Sequence, residues 1–187
     1  GTAHSGALWT LESLDMGRVL DGVIPDMQRI VIGVDPSGCS GPEDYRSDEV
    51  GIVVAGLGTD GRAYVLEDLY GLFSPQQWGK IVGSAFERHS ADVVVGEVNY
   101  GGAMVNEVIR VARPRTPFKS VSASRGKVVR AEPIAALYGS EDKVGKVSHV
   151  GIFAKLEDQL CGCTTAGYFG DRSPDRADAL VWALSEL

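Results

Sequence analysis

Two short runs of apolar residues each close on a carboxylate. Residues 29–35 read Arg-Ile-Val-Ile-Gly-Val-Asp, and residues 91–97 read Ala-Asp-Val-Val-Val-Gly-Glu. Runs of this length, rich in β-branched residues and stopped by turn formers (Pro36-Ser-Gly38 after the first, Asn99-Tyr-Gly-Gly102 after the second), predict buried strands. Between them, residues 49–57 and 62–69 are also strand-like, and Thr59-Asp-Gly61 joins them as an antiparallel hairpin. Ser74-Pro75 then opens a segment whose apolar positions 78, 81, 82, 85 and 86 follow the helical period, which predicts a helix to His89. Further on, a helix at 102–111, a short strand at 118–121 and a helix at 127–138 alternate, and Ser173-Pro174 opens an amphipathic C-terminal helix. Residues 8–20 carry a rougher helical stripe at 8, 11, 14, 19 and 20.

Three hairpin-connected strands followed by alternating helices and strands predict an α/β fold. Its sheet is mixed and five-stranded, a three-strand antiparallel meander plus parallel strands, with helices on both faces. Residues 29–187 form the domain, and residues 1–28 read as a lead-in, the remnant of a linker. A length of 187 residues with 44% apolar content supports one substantial core.

Charge changes the picture more than composition does. The net charge of −7 argues against a broad phosphate-binding surface, yet seven basic residues and no acid lie between Arg110 and Arg130. Within that stretch Arg125, Lys127 and Arg130 are the candidate DNA contacts, against the alternative of a solvated face. Cys39, Cys161 and Cys163 are odd in number and lack zinc spacing, which fits a reducing compartment. No run approaches the ~20 apolar residues of a membrane span, so no membrane partner is expected.

If the first strand is central and the 92–97 strand lies parallel beside it, both end at one sheet edge, and Asp35 and Glu97 become neighbours. The antiparallel second strand starts beside the end of the first, which brings Asp48 and Glu49 near as lower-ranked candidates. On the last helix Asp175 and Asp178 are three apart and share a face. The helix dipole is a sufficient explanation for Asp175, whereas Asp178 adjoins Ala177, Val181 and Trp182, where an unpaired charge is costly. Asp178 is therefore the expected third metal ligand and Asp175 a secondary one. Oxygen donors drawn from three distant segments suit Mg²⁺ or Mn²⁺. His149, in the strand-like stretch 147–150, reads as structural or solvent-facing, and nothing resembles a nucleophile elbow.

Several segments, in order along nearly the whole chain, carry a family likeness: Gly6-Ala-Leu-Trp-Thr10, Val34-Asp-Pro-Ser37, residues 47–56, Gly96-Glu-Val-Asn-Tyr-Gly-Gly102, residues 124–133 and residues 173–184. On these the chain resembles the C-terminal nuclease domain of the large terminase subunit of tailed bacteriophages, which has the RNase H-like fold. The resemblance implies a metal-dependent endonuclease that cuts concatemeric viral DNA during genome packaging. It implies two Mg²⁺ or Mn²⁺ ions on Asp35, Glu97 and Asp178. It further implies double-stranded DNA, the terminase ATPase domain and small subunit, and the portal of the procapsid as partners, in the host bacterial cytoplasm. The chain has no Gly-x-x-x-x-Gly-Lys-Ser/Thr loop, so ATP-driven translocation is not expected of these residues. Two rivals are another RNase H-like DNA nuclease, such as a Holliday-junction resolvase or transposase core, and a non-catalytic module that docks on portal or capsid.

Overall fold

Strand β1, Met27–Pro36, has four consecutive buried residues at 31–34, as a strand covered on both faces requires. It lies between β2 (Asp48–Gly58), antiparallel to it, and β5 (Val93–Glu97), parallel to it. The computed structural model describes residues 5–20, 23–36, 48–97, 102–122, 126–140 and 142–187, without the side chains of 48, 102 and 103. Beyond β2 come β3 (Ala63–Asp68) and then β7 (Val147–His149), and beyond β5 comes β6 (Phe118–Val121), giving the order β6-β5-β1-β2-β3-β7. A further strand, β4 (Gly71–Phe73), pairs with the start of β2. The five strands that the sequence pattern predicts are all present. The sheet nevertheless has seven, adding β4 and β7, each three residues long: β4 is too short to show a period, and β7 falls in the strand-like stretch 147–150, which the sequence pattern does not assign to the sheet.

Alternation along the strands sorts the core into two layers. On one face Ile32, Val34, Val50, Ile52, Val54 and Val94 pack with α2 (Pro75–His89) and α3 (Gly102–Ala112). On the other, Val31, Val53, Ala55, Val65 and Val95 meet α4 (Lys127–Ala135), α5 (Ala154–Gly162) and α6 (Asp175–Glu186). Helix α2 begins as predicted, with Ser74 as N-cap in a capping box with Gln77 and Pro75 at the first position. Helix α5 is missing from the sequence reading, because its apolar signal reduces to Leu156 and Leu160, one turn apart.

Where it is described, the lead-in is packed. Thr10 and Ser13 form a capping box on α1 (Leu11–Gly17), and Trp9 and Leu14 are each 1% exposed within the α6-side core. Ala7 bridges to Thr164 and Val19 to Val150, so chain on both sides of α1 is tied to the body of the domain.

Arg18 continues that attachment into a buried polar chain. Its guanidinium donates to both oxygens of Glu157 at 2.7 and 3.0 Å, and Glu157 lies 2.9 Å from His149 Nδ1. Because an ionised carboxylate only accepts, Nδ1 carries the proton, and Nε2 accepts from the Tyr138 hydroxyl at 2.8 Å. His149 is thus structural and 1% exposed, not solvent-facing. Burial tends to raise the Glu157 pKa, but the bonds from His149, Arg18 and the Phe153 N–H hold it down at about 2. Burial also lowers the His149 pKa below its ordinary 6.5. Both shifts make the unfolded chain bind more protons than the native one, so this network's stabilisation is complete above pH 6.5. It falls first as unfolded His149 protonates and then as pH drops from 4.5 towards 2. Urea midpoints of wild type and Glu157→Gln at stepped pH check this: the wild-type advantage at pH 7, roughly 2 kcal/mol, should shrink as pH falls through 4.5 and be lost only below about pH 2.

Candidate metal centre

Two glycines determine where α6 lies. Gly33 on β1 and Gly51 on β2 face the same side, and a Cβ on either would sit 2.1 Å from an α6 carbonyl oxygen, that of Ala179 or Asp175 respectively. Without those side chains the helix backbone settles directly on β1 and β2. Its first turn therefore reaches the end of β1, where Asp35 stands opposite Gly51 in the antiparallel register.

There Asp35, Asp175 and Asp178 converge, with one carboxylate oxygen from each lying within 4.8 Å of the others. Burial, then the charges of Asp178 and Asp175, push the Asp35 carboxyl well above the ordinary carboxylate range, while Lys127 pulls the other way. Lys127 Nζ donates to Asp178 Oδ2 at 2.7 Å. Burial disfavours the Lys127 ammonium, but Asp178, Asp35 and Asp175 outweigh it and raise its pKa.

The structure brings both α6 acids into the cluster, and both lie in the first turn of the helix: Asp175 is the more buried, at 2% exposed, and Asp178 pairs with Lys127. At the Ser173-Pro174 opening of this helix, Pro174 holds the cap position with no side-chain bond, and Gln159 of α5 accepts from the N–H groups of Arg176 and Ala177 at 2.9 and 3.2 Å.

Glu97 ends β5 two residues beyond Val95, on the α6 side of the sheet, but its carboxylate is not within the 4.8 Å cluster. The helix packs chiefly on β1 and β2, and β5 lies one strand further on, where Glu97 stays in register with Val121 of β6. Glu49 is engaged elsewhere, accepting from Tyr70 and Arg172. The side chain of Asp48, and all of Arg125 and Cys39, lie outside the described residues. Arg130 stacks its guanidinium 4.6 Å from the Trp182 ring centroid. Elsewhere in the basic stretch Arg113 pairs with Glu87 and Lys119 with Glu186, which neutralises part of its charge locally.

Three clustered oxygen donors, one of them pushed towards its protonated form by burial and then by the charges of the other two, match what a hard divalent cation needs. Among the described residues this is the one such cluster of three or more potential ligands.

Residues 32–187 match the family model described as the terminase RNaseH-like domain. No curated protein matches the chain. Among solved structures it is similar to the nuclease domain of the large terminase subunit gp2 of bacterial virus Sf6, at 15% identity over 95% of this chain and 98% of that one, with a TM-score of 0.62. It is also similar to the large terminase nuclease from thermophilic phage G20c with bound cobalt, at 15% identity over 98% of both chains and a TM-score of 0.64. A third likeness is to the HK97 bacteriophage large terminase, at 12% identity and a TM-score of 0.70, covering 97% of this chain and 43% of that one. At these identities the structural likeness speaks to the fold, an RNase H-like mixed sheet with helices on both faces.

Proposed function

This chain belongs to the terminase RNaseH-like domain family, and from that premise we propose that it is a divalent-metal-dependent endonuclease that cuts viral DNA during genome packaging. One observation carries the reading: Asp35, Asp175 and Asp178 converge within 4.8 Å at the end of the central strand. Supporting it, structures of the Sf6 nuclease domain with manganese and the G20c nuclease with cobalt show related domains that take up divalent metals.

Asp35, Asp175 and Asp178, with Glu97 from the neighbouring strand end, would hold the two ions. Mg²⁺ or Mn²⁺ bound there supplies a polarised phosphate and a more acidic water. The chain's own residues hold this arrangement in place. Lys127 steadies Asp178 and offsets some of the repulsion among the acids, and its side chain is 56% exposed, so the ammonium also faces incoming DNA. Arg130, three positions on in α4, would add to the same positive charge towards the phosphate backbone. In this reading the partners are double-stranded DNA, the terminase ATPase domain and small subunit, and the procapsid portal, in the bacterial cytoplasm.

Incubating the purified chain with supercoiled plasmid tests the assignment. Nicking and then linearisation are expected in Mn²⁺ or Mg²⁺, and neither in excess chelator. A folded preparation that leaves plasmid intact at every Mn²⁺ concentration would remove the nuclease reading. Preference for a four-way junction over duplex would move it to the resolvase class.

A further inference from the structure

The three-acid cluster exists only if α6 begins at the right height above the sheet, and the two glycines fix its distance but not its position along the strands. A second set of contacts supplies that. Arg176, next to Asp175, turns away from the cluster and donates to Asp68 Oδ2 at 2.7 Å, with the two side chains only 6% and 7% exposed. Its guanidinium lies 3.4 Å from the centroid of the Tyr70 ring. The Tyr70 hydroxyl in turn donates to Glu49 of β2 at 2.9 Å, and Arg172 donates to the same Glu49 oxygen at 2.7 Å. Asp68 ends β3 opposite Val53, so the pair ties the first turn of α6 to the strand beyond β2. Gln159 caps that turn from the α5 side.

We propose that Arg176, held between the Asp68 carboxylate and the Tyr70 ring, is a positioning residue that fixes the start of α6 and so keeps Asp175 and Asp178 against Asp35. The proposal rests on the nuclease reading above. A guanidinium suits the task because its planar fork both pairs with a carboxylate and stacks on a ring, which a lysine ammonium does not reproduce. Burial raises the Asp68 pKa above its ordinary value, and the neighbouring Arg176 charge offsets only part of that.

The test separates positioning from bulk stability. Asp68→Leu with Arg176→Met removes both charges and leaves apolar side chains in their place, an exchange that buried ion pairs commonly tolerate without unfolding. In metal-free protein, amide exchange of residues 177–179 should accelerate at least ~10-fold, with the Val31–Val34 amides of β1 unchanged. Calorimetric Mn²⁺ affinity should fall roughly 10- to 100-fold at an unchanged or higher melting temperature. Arg176→Lys, which keeps the charge, should recover only part of that affinity. Unchanged exchange together with wild-type Mn²⁺ affinity in the folded double variant would overturn the clamp alone. A wild-type chain that takes up no Mn²⁺ would overturn the nuclease reading, and the proposal with it.

Discussion

Asp35→Asn is expected to abolish DNA cleavage, by on the order of 10³-fold or ~4 kcal/mol of transition-state stabilisation, while leaving the metal-free protein at least as stable as wild type. The second half of that expectation is the distinctive one. Asp35 is desolvated and faces two other carboxylates, so its charge opposes folding in the absence of a cation, and an amide of the same shape removes the repulsion. Asn at this position should therefore melt no lower than wild type and lose most of the thermal gain that Mn²⁺ confers. Asp175→Asn and Asp178→Asn should fall with it, because the three oxygens act as one donor set. Plasmid cleavage and melting curves with and without Mn²⁺ measure both halves. Wild-type cleavage by folded Asp35→Asn would remove the site from the end of β1.

Gly51→Val is expected to cost roughly 3 kcal/mol or more of stability, lowering the melting temperature by ~10 °C, and to eliminate cleavage well below that temperature. A Cβ at this position would meet the Asp175 carbonyl oxygen at 2.1 Å, and a backbone oxygen has no alternative rotamer. The helix must lift, and Asp175 and Asp178 lift with it. Gly126→Ala is the control: its Cβ would meet nothing within 4 Å and its φ of −63° suits any residue, so a change within about 0.5 kcal/mol is expected. A Gly51→Val chain that melts and cuts like wild type would show that α6 is not seated by the glycines.

Much of this was legible in the sequence, and the parts that were not share a cause. Acids closing two β-branched runs placed Asp35 and Glu97 on parallel strand ends, and the register of β1 with β5 is of that kind. How deeply Asp175 and Asp178 are each buried was hidden because it depends on how a helix is rotated and seated on a sheet. That seating is set by the absence of side chains at Gly33 and Gly51, and neither glycine breaks the apolar pattern of its strand. For His149 the structural one of its two readings holds, and what decided it lay beyond its own strand: its partners are Tyr138 and Glu157, and Glu157 is in turn held by Arg18, 139 positions away. Asp68 and Arg176 likewise sit 108 residues apart.

The packed lead-in bears on where this unit can be divided. The family pattern starts at residue 32, inside β1, whereas buried chain begins around Trp9. A fragment trimmed to the pattern would retain the three acids yet leave an indole-sized hole beside Tyr138, against which the Trp9 ring packs edge-on at 5.9 Å. It would also strip Glu157 of its arginine while keeping it beside His149. The family pattern and the packed chain thus begin more than twenty residues apart, and it is the packing that sets what such a fragment would have to keep.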